Sequence, residues 1–212
     1  MSASTDTAST EKPASAPLTA FTGSEPGSAA QRDRRRRIIR ATIALASKGG
    51  FEAVQMRAVA DRADVALGTL YRYFPSKIHL LVSSLAAEFE RAQDKNDRSR
   101  IPGDTPRDRV LHVLGRTTRS LQRDPNLTEA MTRAFMFADT SAAAEVDTVG
   151  NLMERMLTTA MSGDEEPTDE QRSIARVIGD VWLSNLVAWV TRRASATDVA
   201  NRLELSVRLL LR

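Results

Sequence analysis

Apolar side chains recur along most of the chain at the three- and four-residue spacing of an amphipathic helix. The stretches begin near residue 31 and are separated by breaks that typically end or start helices: Gly49–Gly50, Asp64, Pro75, the loop at 101–104, Asp124–Pro125, Gly163, Pro167 and Ser195. No segment shows the strict alternation of a half-buried strand. The pattern therefore predicts an all-α chain of about nine helices.

The predicted helices leave an N-terminal tail and divide into two domains. Residues 1–30 are rich in Ser, Ala, Thr and Pro, so they bury too little apolar surface to offset their ordering entropy and are predicted to be disordered. Short helices over 31–78 would form the first domain, and longer ones over 79–212 the second. The helix predicted at 77–97 joins the two domains and is the expected lever between them.

Two short helices joined by a tight turn, Met56–Ala63 and Leu67–Phe74, match a helix-turn-helix. Leu70 and Phe74 are four residues apart and would face inward. The remaining side chains of the second helix would project elsewhere: Thr69, Tyr71, Arg72 and Tyr73. Such a polar and aromatic face suits a helix laid into the DNA major groove. The alternative is that the two tyrosines pack against neighbouring helices.

Charge is unevenly distributed along the chain. Residues 31–79 carry eleven Lys or Arg and four Asp or Glu, a net of +7 in a chain whose formal net charge is +3. A basic segment on an otherwise mildly acidic chain indicates a surface for a polyanion. Arg34, Arg35 and Arg36 belong to this segment, and we expect them to follow the DNA backbone or enter a minor groove. The alternative is a solvated cluster that raises only non-specific affinity.

Composition excludes several classes of protein. The chain has no cysteine, which rules out disulfides and thiolate metal sites, and no bound metal or cofactor is expected. His79 and His112 lie far apart, and no Ser-His-Asp set, glycine-rich phosphate loop or HExxH spacing occurs, so an enzyme is not expected. No secretory signal and no run of about 18 apolar residues occurs, which predicts a cytoplasmic protein without a membrane partner.

The run from Gly50 to Leu81 resembles the DNA-binding signature of TetR-family regulators, most specifically in its Gly-Thr-Leu-Tyr-Arg-Tyr-Phe-Pro-Ser-Lys core at 68–77. The resemblance covers the first domain, while the rest of the chain fits the family in helix number and length. It implies a homodimer in which each subunit presents one three-helix head to a palindromic double-stranded DNA operator. It also implies a second domain that dimerises and binds a small effector, which releases the protein from DNA.

Matched position by position, the resemblance implies roles for single residues. Arg57 should reach a base edge, Leu67 and Gly68 should lie against bases, and Arg72 should contact a base or a phosphate. Phosphate contacts are implied for Thr69, Tyr71, Tyr73 and Lys77. The chain departs from the family pattern at Gln55, Asp64 and Ala66, where a helix cap, a turn glycine and a second cap are usual. These departures bear on the cap hydroxyls as phosphate contacts and not on the fold.

Large, adaptable apolar side chains are concentrated in the middle of the second domain, and methionine in particular suits irregular pockets for bulky ligands. We expect an effector to contact Leu114, Met131, Phe135, Met136, Met153, Met156, Trp182 and Leu186, with Arg119 and Arg123 near an anionic group. The alternatives are ordinary core packing for the apolar residues and solvent exposure for the arginines. The helix predicted at 171–193 is apolar around much of its circumference, so with the last helix it could supply both core and dimer interface.

Three passages extend the resemblance to TetR-family repressors of sterol catabolism in actinobacteria: 34–77, 127–139 and 175–199. They span both domains. The resemblance implies control of genes for cholesterol and lipid breakdown, and release from DNA by a sterol-derived acyl-coenzyme A thioester. Two alternatives stay open: another hydrophobic effector, such as a drug or a fatty acyl compound, and an architectural DNA binder whose second domain only dimerises.

Overall fold

The computed structural model describes residues 29–97 and 101–211 of the 212-residue chain. Its regular structure consists of nine α-helices and one 3₁₀ turn, Thr140–Ala142, and these residues contain no strand. The helices are α1 Ala29–Ala53, α2 Met56–Ala63, α3 Leu67–Tyr73, α4 Lys77–Asp97, α5 Pro106–Gln122, α6 Pro125–Met136, α7 Ala143–Ser162, α8 Asp169–Val190 and α9 Ala196–Leu210. The predicted all-α class and helix number are confirmed.

The first predicted break, the glycine pair, is a kink within α1. The backbone leaves helical values at Gly49 and Gly50, and Gly50 has a φ of 66°, a conformation that side chains with a Cβ rarely adopt. Regular helix therefore stops where the sequence predicted. Of the predicted tail over 1–30, only Ala29 and Ala30 are among the described residues, and these two open α1.

Two boundaries in the second half differ from the prediction. α8 begins before the predicted Gln171 because Thr168 caps it: the Thr168 hydroxyl accepts from the Gln171 main chain, and the Gln171 side chain accepts from the Thr168 N–H. α8 also ends before the predicted Arg193, because Arg192 takes a left-handed φ of 58°. The sequence gives no signal of this end, since the residue with the left-handed conformation is not a glycine.

α1 and α4 connect the helix-turn-helix region to the rest of the molecule. α1 packs against α2, α4 and α6, while α4 also packs against α6 and α7. One cluster of buried apolar side chains runs through both parts, from Ile38 and Leu70 to Phe89 and Ile178. The predicted domain boundary at 78/79 falls in the first turn of α4 and stays a prediction.

Among the described helices, α8 alone is long and apolar enough to cross a membrane, judged by length and composition. The core helix of a soluble protein meets the same criterion. In this fold α8 packs against α6, α7 and α9, and it buries Ile178 and Trp182 among them.

Candidate nucleic-acid interface and effector cavity

The turn between α2 and α3 is held by Arg37 of α1. Its Nη1 donates hydrogen bonds to the carbonyl oxygens of Ala63, at 2.8 Å, and Asp64, at 3.4 Å. The guanidinium also pairs with the carboxylates of Asp33, at 3.5 Å, and Asp64, at 3.8 Å. Because both ion pairs are largely exposed, the hydrogen bond to Ala63 is the stronger part of this anchor. Arg37 thereby fixes α1 to the helix-turn-helix.

The two helices of this motif have no side-chain caps. Gln55 and Ala66 occupy the N-cap positions and make no capping hydrogen bond, in agreement with the departures seen in the sequence. Asp64 ends α2 in the left-handed conformation, with φ 52° and ψ 57°, which Asp tolerates better than most residues. The turn therefore keeps its geometry without the usual glycine.

α3 is anchored by buried residues and presents its other side to solvent. Leu70 and Phe74 are almost fully buried, as predicted. Tyr71 is 45% exposed and is not a core residue, whereas the ring of Tyr73 lies 6.4 Å from that of Phe74 and partly packs on it. The other residues predicted to contact DNA from this helix are exposed, Gly68 and Arg72, or half-buried, Leu67 and Thr69.

Gly68 leaves open space on the outer face of α3. A Cβ built there would meet no atom within 4 Å, so packing inside the protein does not require a glycine. Glycine within a helix costs about 0.5–1 kcal/mol relative to alanine, and close approach of another molecule is a physical reason to keep it. Arg57 of α2 is exposed as well. Contact of these two residues with DNA stays a prediction.

Lys77, for which a phosphate contact was predicted, is the first residue of α4. Its ammonium lies 3.8 Å from the centre of the Phe51 ring, which is a cation–π contact. Burial lowers the pKa of Lys77 from its ordinary value. The negative charge of Glu52 raises this pKa, the positive charge of Arg133 lowers it further, and the negative charge of Glu129 raises it. The charge is therefore held against an aromatic ring instead of extending freely into solvent.

The three arginines predicted to follow the DNA backbone or enter a minor groove lie within α1. Arg36 is exposed, Arg34 is half-buried, and the guanidinium carbon of Arg35 lies 5.5 Å from the centre of the Phe74 ring. An α-helix with its side chains is about 10–12 Å wide, whereas a minor groove is about 6 Å wide. The helical conformation therefore favours contact with phosphates over entry into a minor groove.

A cavity of about 550 Å³ lies between α4, α6, α7 and α8. Its apolar wall includes Leu85, Phe89, Phe135, Met153, Trp182 and Leu186. The ring of Trp182 lies 5.6 Å from that of Phe89, and its indole nitrogen donates a hydrogen bond to Thr118. This size falls within the range of about 300–1,000 Å³ that is usual for small-molecule sites.

The structure brings together part of the predicted effector set. Those that line the cavity are Phe135, Met153, Trp182 and Leu186. Those buried in the core outside the cavity lining are Leu114, Met131 and Met156. Those exposed outside it are Met136, Arg119 and Arg123. Met136 follows Phe135 in α6 and so points about 100° away from it. Arg119 and Arg123 belong to α5 and its C-cap, and α5 contributes no residue to the cavity lining.

The polar rim of the cavity is mainly acidic. It consists of Asp147, Asn151 and Glu154 of α7 with Arg176 and Asp180 of α8. Arg176 donates from Nε to a carboxylate oxygen of Glu154 at 2.9 Å, so this cation of the rim is already paired. The arrangement suits an uncharged apolar group inside the cavity and offers little to an anion at this rim.

Two glycines and two α4 residues are among the cavity-lining residues that the sequence did not indicate. Gly150 and Gly179 leave room on facing helices: a Cβ on Gly150 would meet nothing within 4 Å, and one on Gly179 would lie 3.5 Å from Met153 Cγ. A glycine inside a predicted helix was an available signal, because it often has a packing reason. Leu85 and Phe89 also line the cavity, but their spacing in the sequence marks only a buried face.

Two protein-family models match the chain. The model described as "Bacterial regulatory proteins, tetR family" matches residues 38–83, which include the helix-turn-helix. The model described as "Tetracyclin repressor-like, C-terminal domain" matches residues 103–210, which include α5 to α9.

Curated relatives cover nearly the whole chain. The HTH-type transcriptional repressor KstR of Mycolicibacterium smegmatis is 67% identical over 188 residues, covering 89% of this chain and 92% of the relative. KstR of Rhodococcus jostii is 69% identical over 182 residues, covering 86% of this chain and 84% of the relative. These relatives are transcriptional repressors and not enzymes.

Solved structures share the fold. A TetR transcriptional regulator from Rhodococcus sp. RHA1 superposes with a TM-score of 0.77 at 33% identity, covering 87% of this chain and 98% of the other. FadR of Thermus thermophilus, a TetR-family repressor solved in complex with lauroyl-CoA, superposes with a TM-score of 0.62 at 23% identity. The match covers 84% of this chain and 93% of the other.

Proposed function

Because this chain belongs to the TetR family of bacterial transcriptional regulators, we propose that it binds a palindromic operator as a homodimer and is released by a small hydrophobic effector. It is a TetR-type transcriptional repressor and not an enzyme. A repressor that acts on the bacterial chromosome works in the cytoplasm, where we place this protein.

The outer face of α3 carries the proposed DNA contact. Buried Leu70 and Phe74 fix the helix, while Tyr71 and Arg72 point outward beside the open surface at Gly68. Small groups there can approach base edges, and phenol and guanidinium groups can donate to phosphates. The net charge of +7 over residues 31–79 adds a sequence-independent attraction to DNA. This anchored, exposed helix face is the observation on which the proposal rests.

Exposed apolar side chains on the last two helices support a homodimer. Val177 of α8 is 46% exposed, and Leu205 and Leu209 of α9 are 47% and 60% exposed. α8 and α9 pack against each other, so their outer sides form one surface. Apolar surface of this kind is typical of an interface between subunits. Pairing it with a second copy would give a four-helix interface and set two α3 helices on one DNA duplex.

The cavity supports a bulky apolar effector. From the resemblance to repressors of sterol catabolism, we propose that this effector is a sterol-derived acyl-coenzyme A thioester and that the protein controls genes of sterol and lipid breakdown. The resemblance to repressors of sterol catabolism, at 34–77, 127–139 and 175–199, includes the cavity residues Phe135, Trp182 and Leu186. Arg176 is already paired with Glu154, and the rim also carries the carboxylates of Asp147 and Asp180. This acidic rim would repel phosphates. We therefore assign the cavity to the apolar part of the effector, with the coenzyme portion lying away from this rim.

A fatty acyl effector is the second candidate, because TetR-fold neighbours have been solved with lauroyl-CoA and with stearoyl-CoA. Both neighbours are under 25% identical to this chain and show the fold alone. A direct comparison of cholestenoyl-coenzyme A with stearoyl-coenzyme A distinguishes the two candidates.

The experiment begins with selection of duplexes from a random pool by the purified full-length chain. We expect a palindromic sequence, bound with two chains per duplex as measured by light scattering. Cholestenoyl-coenzyme A should then release this duplex at lower concentration than stearoyl-coenzyme A. Failure to select any sequence would contradict the repressor proposal, and release by stearoyl-coenzyme A alone would replace the sterol effector by a fatty acyl one.

A further inference from the structure

The Phe51 ring is shared by two cations that come from different helices. The ammonium of Lys77, at the start of α4, lies 3.8 Å from the ring centre, and the guanidinium carbon of Arg133, in α6, lies 4.4 Å from it. Both distances are within the range of a cation–π interaction. Phe51 itself follows the kink in α1. The ring therefore stands where α1, α4 and α6 meet.

The segment around Phe51 is attached to α6 by polar contacts as well. The Phe51 N–H donates to a carboxylate oxygen of Glu129 at 3.2 Å, and the Asn126 side chain donates to the Ser47 carbonyl oxygen at 3.2 Å. Arg133 also pairs with Glu52 at 3.1 Å. These contacts leave the end of α1 little freedom to move independently of α6.

Gly50 makes this attachment close. A Cβ at Gly50 would lie 3.2 Å from a carboxylate oxygen of Glu129, and its φ of 66° already disfavours a side chain. The kink thus brings the Phe51 N–H to the carboxylate of Glu129. Phe51 is positioned by α6 through its main chain and contacts α4 through its ring.

α6, which holds Phe51 on one side, lines the effector cavity on another. Thr132 and Phe135 of α6 line the cavity, and Arg133 lies between them in sequence. Since adjacent helical residues point about 100° apart, one turn of α6 faces the cavity with one side and Phe51 with another. A ligand that displaces this turn would carry Phe51 along with α6, and so would change the distance between the shared ring and the Lys77 ammonium of α4.

Two like charges on one ring repel each other, and the nearby carboxylates of Glu52 and Glu129 reduce that repulsion. The position of the Lys77 ammonium therefore depends on where α6 holds Arg133 and the ring. At the first residue of α4, that ammonium is also beside a helix N-terminus, where an anion is favoured.

We propose that Phe51 is a positioning residue that holds the Lys77 ammonium ready for an operator phosphate and connects that contact to the cavity through α6. The proposal rests on the proposed function, because it requires an operator. It adds a specific route from effector to DNA: displacement of α6 disturbs the shared ring, and Lys77 loses its fixed position without any change in α3.

The test is a double-mutant cycle on Phe51→Leu and Lys77→Gln, with the duplex that the wild-type chain selects from a random pool. Leucine keeps an apolar side chain and removes the aromatic ring. Phe51→Leu should weaken operator binding roughly fivefold to thirtyfold in a dimer. The slope of log affinity against log salt should fall by about two units, because one phosphate contact per subunit is lost. In the Lys77→Gln background, Phe51→Leu should have no further effect on either quantity.

Phe51→Tyr is the matched control, since it keeps the ring and should retain wild-type affinity and salt slope. Thermal unfolding of each variant separates a loss of folding from a loss of positioning. Additive effects of Phe51→Leu and Lys77→Gln, or an unchanged salt slope in Phe51→Leu, would overturn the proposal while leaving the repressor function intact. A wild-type chain that selects no duplex would instead remove the proposed function and this inference with it.

The cavity end is tested with cholestenoyl-coenzyme A on the operator complexes. In the wild type, the ligand should lower both the operator affinity and the salt slope. In Lys77→Gln the ligand should no longer change the salt slope, although it still occupies the cavity by thermal shift. An equal change of slope in both proteins would show that the ligand acts on other phosphate contacts, and would overturn the connection through Lys77.

Discussion

The indole nitrogen of Trp182 donates a 2.9 Å hydrogen bond to the hydroxyl of Thr118, which connects α8 to α5 behind the cavity wall. Both residues are buried. Thr118→Val keeps the shape of the side chain but leaves the indole N–H without its acceptor, which costs about 1–3 kcal/mol. We expect urea denaturation to show this loss of stability. The control is Ser120→Ala, an exposed position on the same helix, where the change should stay within about 0.5 kcal/mol.

Gly150→Leu should block the cavity without harming the fold. A Cβ built at Gly150 meets no atom within 4 Å, and leucine is favoured over glycine in a helix by roughly 0.5–1 kcal/mol. The melting temperature should therefore stay the same or rise, and operator binding should persist. Cholestenoyl-coenzyme A should no longer release the DNA. The control is Ser162→Leu, at the C-terminal end of α7. The neighbouring Gly163 is not suitable as a control position, because its left-handed φ of 65° disfavours a side chain. Release of Gly150→Leu at wild-type ligand concentration would place the effector elsewhere.

Arg37→Met should loosen the helix-turn-helix from α1. Methionine keeps the apolar stem and removes the hydrogen bonds to the carbonyl oxygens of Ala63 and Asp64. A hydrogen bond from a charged group contributes about 1.5–3 kcal/mol, and partial exposure reduces this, so we expect a loss of roughly 1–2 kcal/mol in chemical denaturation. Arg36→Met removes an equal charge at an exposed neighbour and should leave stability nearly unchanged. Equal stability of the two variants would refute the anchoring role.

The capping box at the start of α9 gives a prediction for acidic pH. The side-chain and then the backbone hydrogen bond from Ser195 lower the pKa of Asp198 below its ordinary value of 3.8. A carboxyl with a depressed folded-state pKa stabilises the fold above its unfolded value, and this contribution is lost as pH falls through the folded value. Ser195→Ala should therefore raise the pKa of Asp198 in an NMR titration. The variant should be less stable than the parent at neutral pH, and the difference should shrink as the carboxyl becomes protonated. An unshifted titration of Asp198 would contradict the assigned cause.

The sequence predicted the all-α class and the short helices of the N-terminal head well, because the signals that start and end these helices are local. The Gly49–Gly50 pair, the turn at Asp64 and the cap at Ser195 act on their immediate neighbours, so each is visible without knowledge of the tertiary fold. Periodicity likewise identified Leu70 and Phe74 as the buried anchors of α3.

The cavity was predicted only in part, because its shape depends on which helix faces meet. Phe135 and Met136 are equally apolar neighbours, yet one lines the cavity and the other is 53% exposed. The end of α8 was also missed, since Arg192 and not a glycine takes the left-handed conformation there, with the Arg193 N–H donating back to the Ala188 carbonyl oxygen. The contacts of Phe51 with Lys77 and Arg133 join residues far apart in sequence, and no local pattern indicates them.

The affinity of Arg57→Ala and Tyr71→Ala proteins for a duplex selected by the wild type tests the central claim most directly. Both side chains are exposed on the head, so both variants should keep the wild-type melting temperature. If the head binds DNA through α2 and α3, Arg57→Ala should weaken binding roughly tenfold to a hundredfold and Tyr71→Ala by a smaller factor. Arg155→Ala, an exposed substitution on α7, should change nothing. Wild-type affinity in both folded head variants would contradict the account.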